Sequence, residues 1–449
     1  MKTFYLILAA AFLTASVSVP QAKAEVNLVD HEGWKVGLGG FIEFDSFYDT
    51  TRSYVETVGN GPVARKATLD GDNGRTQFSL RNSRFFFSVE APPVDGWKTR
   101  GYLETDFLGY DPAPKSSNVG SGAISENAFF TNPTLRIRHA YLSAESESLS
   151  VLVGQAWSLF GWQPAYVLST ISVNPVMGTS YQRTPRIGAI QKMMLNESNE
   201  LQLGLSLERP SQRDGKIPNV VAAVRWTDPA RKSGYTGPNS DIKAQPMGVV
   251  VSGTYRNFSK MTSPGTSFTD QTSVPAYAMA VNALLPILAS SDGKNVSNSL
   301  TLTGEFTAGR GYGDEFPSWS GGLGQSYATT NANPASSVNL DPGLGGYTTS
   351  GDFDLVKLRT FNAQLQYFAS EQTFATVGYG QLYSSNIANF TPGAGQTLYD
   401  RIEAKFVNMG HDFTSHVRVS VEFDQFTTHY ADGATNFDNR YMLASYFRF

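Results

Sequence analysis

Hydrophobic and polar side chains alternate with a period of two along much of the chain. In the segment 36–48, Val36, Leu38 and Phe44 fall on one face, while Glu43 and Asp45 fall on the other. Such alternation is typical of β-strands, whose successive side chains point to opposite faces of a sheet. The pattern therefore predicts an all-β protein.

The alternating segments are longer than the strands of most soluble proteins. Many reach about ten residues or more, a length that suits strands crossing a bilayer at a tilt. Aromatic side chains gather near their ends, as at Phe47, Tyr48 and Trp97, where the membrane surfaces would lie. The pattern favours a transmembrane antiparallel β-barrel of about sixteen strands. We place these strands at residues 34–50, 75–91, 98–110, 134–144, 149–157, 184–193, 200–209, 219–228, 246–258, 273–284, 297–308, 353–369, 372–384, 397–409, 414–428 and 437–449.

The connections between these strands alternate in length, as expected when short periplasmic turns alternate with long external loops. By this count the third external loop is residues 158–183. The segment 229–245 breaks the alternation, because it is too long for a periplasmic turn. It forms either an unusual turn or an additional pair of strands.

The composition fits a membrane barrel and also a secreted soluble all-β protein. The chain has 449 residues, of which 42 are glycine and none is cysteine, so disulfides and thiolate metal sites are excluded. Only 16% of the residues are charged, and the formal net charge is −4. Beyond the N-terminal region, no stretch offers the ~18 consecutive apolar residues of a transmembrane helix.

Both ends of the chain indicate export to the cell envelope. Residues 1–24 combine an apolar run over 4–13 with a small-x-small motif at 22–24, as in a secretory signal peptide. We expect the barrel domain to span 25–449. The final alternating segment carries its apolar face up to Phe449, and we expect it to close the barrel because an open sheet edge is not tolerated in lipid.

Four stretches of the first half resemble a known family. "LRNSRFFFSVEAP" with "GWKTRGYLETDFLG", and "NPTLRIRHAYLS" with "LSVLVGQAWSLFG", are similar to the trimeric outer-membrane general porins, and most similar to the DcaP-like branch. The resemblance covers about residues 75–160 and the C-terminal strand. It departs from that branch at the start, since only residues 25–33 precede the first strand and no coiled-coil arm is present.

The resemblance implies a diffusion channel for small hydrophilic solutes, in a branch associated with small carboxylates. It implies the outer membrane of a Gram-negative bacterium, contacts with its lipids and lipopolysaccharide, and a third external loop folded into the lumen. It also implies that the barrel-assembly machinery recognises Phe449. A homotrimer is implied as well, and alternation supports it by placing His139 and Tyr141 on the outward face, where a polar side chain is costly in lipid.

Charge along the chain indicates a positive passage. The third external loop contains no Asp or Glu, and no acid occurs between Glu147 and Glu197. Arginine suits a carboxylate because its planar group donates two parallel hydrogen bonds. An alternative is that these arginines only brace the wall by pairing with Glu104 and Asp106. The predicted pore-lining and substrate-binding residues, which would favour small anions, are Arg84, Arg100, Arg136, Arg138, Arg183 and Arg186.

A structural or adhesive barrel and an enzyme are the two alternatives to a channel. A structural or adhesive barrel with a closed lumen would use the long loop 309–352 as its contact surface. An enzyme is not expected, because the five histidines are scattered and no HExxH, GxSxG or P-loop motif occurs. We expect no cofactor, no metal and no nucleic-acid partner.

Overall fold

The computed structural model describes residues 25–109, 134–162, 170–171, 177–196, 198–212, 215–237, 239–261, 271–324 and 340–449. The expected signal peptide, residues 1–24, lies outside the described residues. Parts of the second and third long loops lie outside them as well.

Sixteen strand positions close into one antiparallel barrel, which confirms the predicted fold class. Strands β3 and β4 share one position, because both pair with the same edge of β2. The last strand, β20, pairs with β2 and closes the sheet. The strands are β1 (Glu25–His31), β2 (Trp34–Asp49), β3 (Arg75–Ser79), β4 (Arg84–Glu90), β5 (Lys98–Asp106), β6 (Arg136–Glu145), β7 (Leu149–Trp157), β8 (Arg183–Met194), β9 (Glu200–Glu208), β10 (Asn219–Tyr235), β11 (Lys243–Met261), β12 (Gln271–Leu288), β13 (Leu300–Arg310), β14 (Gly345–Tyr347), β15 (Phe353–Leu355), β16 (Lys357–Phe368), β17 (Thr373–Ser384), β18 (Tyr399–Asp412), β19 (Val417–Tyr430) and β20 (Thr435–Arg448).

Little of the described chain is helical. One short helix, α1 (Leu69–Asp72), lies in the first long loop, and single 3-10 turns occur at Phe160–Trp162, Gly313–Glu315 and Ile387–Asn389. None of the helices in the described residues is long and apolar enough to span a bilayer. Strands β14 and β15 form a small separate hairpin within the long loop before β16.

The sequence analysis assigned no structure to residues 25–33, but this segment forms a strand. It forms β1, which pairs with the start of β2 from Glu25 opposite Gly39 to His31 opposite Trp34. The C-terminus meets the same edge of β2, where the Gly40 amide donates to the Phe449 carbonyl at 3.0 Å. Both ends of the described chain therefore lie at the end of the barrel that carries the short turns.

The outer surface of the wall is apolar and the inner surface is polar. Outward side chains such as Leu205 and Val377 are 55% and 53% exposed, and similar side chains occur on most strands. The inward positions between them carry polar groups, including Ser206, Thr376 and Gln366, and these are buried. An apolar belt on a closed barrel is the surface that a bilayer covers, so the barrel spans a membrane.

The segment 229–245 contains no additional strand pair. Instead β10 and β11 continue past the barrel wall and keep pairing from Lys232 opposite Pro246 to Tyr235 opposite Lys243. The pairing is interrupted by a bulge between Asp228 and Lys232. The segment is thus an unusually long turn at the short-turn end, which was one of the two alternatives.

Candidate functional site

The third long loop folds into the barrel, as the sequence analysis expected. Its first residues are fixed by Glu208 of β9, which accepts a hydrogen bond from the Leu159 amide at 3.1 Å. Farther along, the Ile171 amide donates to Glu422 of β19 at 2.8 Å. Since β9 and β19 are eight positions apart around the barrel, the loop crosses the lumen from one wall to the other.

The loop then returns along a third part of the wall. The amide and hydroxyl of Ser180 both donate to Glu305 of β13, at 2.7 and 2.8 Å. At Gly178, a Cβ would lie 2.3 Å from the Gln381 carbonyl oxygen, and φ is +89°, so only glycine fits there. The carboxylates that hold the loop come from the wall, which gives the acid-free composition of the loop a structural reason: added acids would face acids.

Two of the six predicted arginines pair with carboxylates on the neighbouring strand β5. Arg136 donates two hydrogen bonds to Asp106, at 2.9 and 2.6 Å. Arg138 bridges two carboxylates, donating to Glu104 at 2.6 Å and to Asp106 at 2.8 Å. Arg138 is 1% exposed, whereas the Arg136 side chain is 31% exposed. Arg138 therefore braces the wall, as the alternative interpretation of these arginines expected.

Two other arginines have no carboxylate partner within the described residues. The Arg84 guanidinium lies 5.2 Å from the centre of the Phe41 ring. The Arg183 guanidinium lies 4.9 Å from the Trp157 ring and 5.6 Å from the Tyr181 ring. Aromatic faces attract cations without neutralising them, so these contacts leave the charge in place. Arg84 also interacts electrostatically with Glu43 of the neighbouring strand β2.

Tyr181 joins these groups into one site. Its hydroxyl lies 3.3 Å from Arg138 Nη2, and its ring packs at a tilt of 57° against Trp157 with centroids 4.4 Å apart. The four guanidinium groups interact electrostatically around it, together with Glu104 and Asp106. The four guanidinium groups thus outnumber the carboxylates around them, which are Glu104, Asp106 and the adjacent Glu43. We call this set the arginine cluster: Arg84, Arg136, Arg138 and Arg183.

Of the remaining two predicted residues, Arg100 lies near the short-turn end of β5 and Arg186 near the long-loop end of β8. Both line an open cavity of about 440 Å³ together with Glu25 and Tyr102. Arg100 is 3.7 Å from Glu90 and lies over the Tyr102 ring. The structure thus divides the six arginines into a cluster of four and an adjoining pair.

The outward face assigned to His139 and Tyr141 was wrong, because they pair with the inward residues Glu104 and Tyr102. A bulge in β6 pairs Glu104 with His139 and Thr105 with Ile137, so Arg138 is an extra residue between them. His139 therefore points inward with Tyr102 and Trp157, at ring-centroid distances of 6.3 and 5.4 Å. Because His139 points inward, it gives no support to the expected trimer.

An acidic region on β2, the strand next to Arg84, was not predicted. Glu43 and Asp45 of β2 are fully buried, and Asp45 interacts electrostatically with Glu422 of β19. All three lie on polar faces that the alternation identifies. Their convergence depends on the closure of the barrel between the first and last strands, which the sequence pattern does not show.

The barrel as a whole is similar to solved structures of outer-membrane channels. The outer membrane channel DcaP of Acinetobacter baumannii aligns with a TM-score of 0.62 and 17% identity, over 94% of this chain and 100% of that one. The chain has the porin fold. An anion-selective porin from Comamonas acidovorans aligns with a TM-score of 0.50 and 8% identity, over 93% of this chain and 100% of that one. No protein-family model matches the porin barrel, and no curated protein sequence does.

Proposed function

We propose that this protein is an outer-membrane porin, a diffusion channel for small hydrophilic solutes that favours anions such as small carboxylates. The arginine cluster carries the proposal, because Arg84 and Arg183 keep their charge beside a loop without acids. A channel selects through the groups and fixed charges at its narrow parts.

The expected preference is moderate. Water in a pore keeps the effective dielectric constant high, so each arginine attracts a passing carboxylate by about 1 kcal/mol. Two unneutralised guanidinium groups together could change the anion-to-cation permeability ratio by roughly tenfold, since about 1.4 kcal/mol corresponds to that factor. The buried acids Glu43 and Asp45 lie on β2, the strand next to Arg84, and should reduce this preference.

The test is the reversal potential of the purified protein in a planar bilayer across a salt gradient. The double variant Arg84→Gln/Arg183→Gln should shift the reversal potential toward cations, by roughly a several-fold change in permeability ratio. High salt should reduce the difference because it screens fixed charge. An unchanged ion preference in a folded, conducting double variant would sink the anion proposal.

A matched control removes the same charge elsewhere. Arg52 and Arg209 are exposed in or beside long loops, away from the cluster. The variant Arg52→Gln/Arg209→Gln should leave the reversal potential close to that of the unmodified protein. An equal shift in both double variants would mean that overall charge, rather than the cluster, sets the preference.

A structural barrel with a closed lumen is the second candidate. Apolar side chains of several long loops pack together inside the wall, among them Tyr54, Phe160, Phe316 and Trp319. This packing narrows the long-loop end. Absence of any channel activity in bilayers from protein that is folded by its heat-modifiable migration would favour the closed barrel.

The location and partners belong to the same proposal. We propose a Gram-negative outer membrane, contacts with its lipids and lipopolysaccharide, export by the signal peptide 1–24, and assembly through Phe449. The Phe449 ring packs near Phe85, with centroids 5.9 Å apart, so its deletion should also disturb the closing strand. A homotrimer is proposed from the family resemblance, and crosslinking in mild detergent tests it.

A further inference from the structure

The long turn between β10 and β11 folds across the short-turn end of the barrel. We call residues 228–247 the inner hairpin, and the short-turn end the inner mouth. The hairpin leaves the wall at β10 and β11, and its tip reaches Arg448 of β20. β10 and β20 are eight of sixteen positions apart, so the tip reaches the opposite side of the barrel.

The strand next to the tip is bonded to the inner wall of β13 and β16. The Ser233 and Thr301 hydroxyl oxygens are 2.7 Å apart, and Thr301 also donates to the Gly234 carbonyl. The Thr236 amide donates to Gln366 Oε1 at 3.0 Å, and Gln366 Nε2 returns a bond to the Thr236 carbonyl at 3.2 Å. All five residues are buried. A Cβ on Gly234 would lie 2.4 Å from the Phe368 ring, so the close approach requires glycine.

Charged side chains fix the tip at the far wall. Arg418 of β19 forms a two-pronged pair with Asp412, at 2.6 and 2.9 Å, and donates to the Thr236 hydroxyl at 3.1 Å. Arg448 donates to the same Asp412 at 2.9 Å and to Asp241 of the hairpin at 3.3 Å. Arg418 is fully buried, and detaching the tip would leave its charge with fewer partners.

Apolar contacts complete the attachment. Ile242 of the hairpin packs with Val296, Phe368 and Phe374 in a buried cluster beneath the lumen. These residues belong to the wall or to the turn before β13. Hydrogen bonds, ion pairs and apolar packing thus hold the inner hairpin along β13 to β20. From its origin at β10 to its tip at β20 it spans nine of the sixteen strand positions, about half of the inner mouth.

On the other side of the barrel, an open cavity begins at the inner mouth. Arg100 of β5 and Glu25 of β1 line it there, and it extends along the wall to Arg186, near the long-loop end of β8. A solute that passes the arginine cluster must leave through this half, because the inner hairpin covers the other.

We propose that the inner hairpin is a fixed partial plug that forms a second constriction at the inner mouth and directs solutes past Arg100 and Arg186. This rests on the proposed function as a channel. The plug limits the size of the passage, while the arginine cluster sets its charge preference.

The first test removes the plug without changing charge. Residues 233–245 contain one Asp and one Lys, so replacing them with Asn-Gly leaves the net charge unaltered. Asn-Gly suits a two-residue hairpin turn between the paired residues Lys232 and Pro246. Single-channel conductance should rise roughly 1.5-fold or more, because conductance depends on the narrowest part of a pore, with the reversal potential unchanged. Unchanged conductance in the folded variant would overturn the proposal.

A second variant keeps the chain length, should the deletion fail to fold. Ile242→Asp removes the apolar attachment of the tip, and we expect a higher mean conductance with increased current noise. A quiet channel of unaltered conductance would contradict the plug. The matched control is Ile217→Asp, at an exposed position of a long loop, which should leave the current as it is.

A disulfide distinguishes a fixed plug from a moving gate. The chain has no cysteine, so Ser233→Cys/Thr301→Cys would form a single crosslink between hairpin and wall. Oxidised and reduced channels should conduct equally. A rise in conductance on reduction would overturn the fixed plug in favour of a gate. If the unmodified protein does not conduct, the channel function fails; if it conducts and the deletion changes nothing, only the plug fails.

Discussion

At the scale of single residues, the lumenal arginines differ in what neutralises them. Arg138 is buried and bridges Glu104 and Asp106, so it is a structural brace. Arg84 and Arg183 lie on aromatic rings and form no ion pair with a carboxylate within the described residues. The same residue type on one polar face therefore has two consequences, one for stability and one for the field in the passage.

Stability should separate Arg138 from Arg136. Arg138→Gln leaves the buried Asp106 and the partly buried Glu104 without their shared partner and should lower the free energy of unfolding by about 3 kcal/mol. Arg136→Gln, at a partly exposed side chain, should cost about 1 kcal/mol. Denaturant unfolding in lipid vesicles measures both. Equal losses would show that burial of the pair does not decide its contribution.

At the scale of elements, the third long loop is held by carboxylates of the wall. Glu208, Glu305 and Glu422 stand on three different strands and each accepts a backbone amide of the loop. A loop held at three separated points keeps one path across the lumen. The loop itself contains no acids, and acids there would face the carboxylates of the wall that hold it.

Removing one anchor should loosen the loop. Glu305→Ala takes away the acceptor for both Ser180 groups and for the Asn282 amide. We expect faster chymotrypsin cleavage within 158–183 and larger current fluctuations, because the returning half of the loop loses its attachment. Glu371→Ala, in an exposed short turn, is the control and should change neither. Identical cleavage rates would show that this anchor is dispensable.

At the scale of the whole molecule, the barrel separates an apolar exterior from a polar interior. Val377 lies near the middle of β17 with its side chain outward. Its neighbour Thr376 is buried on the inside and accepts a hydrogen bond from Gln366. One strand thus meets lipid and lumen on alternate residues.

A charge placed on the exterior should reveal the membrane. Val377→Arg should reduce the free energy of unfolding in vesicles by about 2–4 kcal/mol, as for arginine near the middle of a bilayer. The control is Asn27→Arg, at an exposed position of β1 beyond the barrel wall. It should lower the free energy of unfolding by no more than about 0.5 kcal/mol. A small effect at Val377 would mean that lipid does not cover this face.

The sequence by itself determined the sixteen strands, because period-two alternation and connection lengths are local properties; the inward third loop was expected from the resemblance to the porins. Each predicted strand overlaps a strand of the barrel. For β7 the predicted and observed bounds are the same, Leu149 and Trp157. The alternation also put Arg84, Arg100 and Arg136 on polar faces. It failed at His139, since the bulge in β6 reverses the alternation by one residue and leaves no mark in the pattern.

Only the tertiary structure decided which charges meet. The pairing of Arg138 with Glu104 and Asp106, the acids of β2 near β19, and the path of the inner hairpin all join residues far apart in sequence. The sequence marked 229–245 as too long for its position but could not show where it goes. Its destination depends on closure of the barrel, which brings β20 opposite β10 and provides Arg448 as a partner for Asp241.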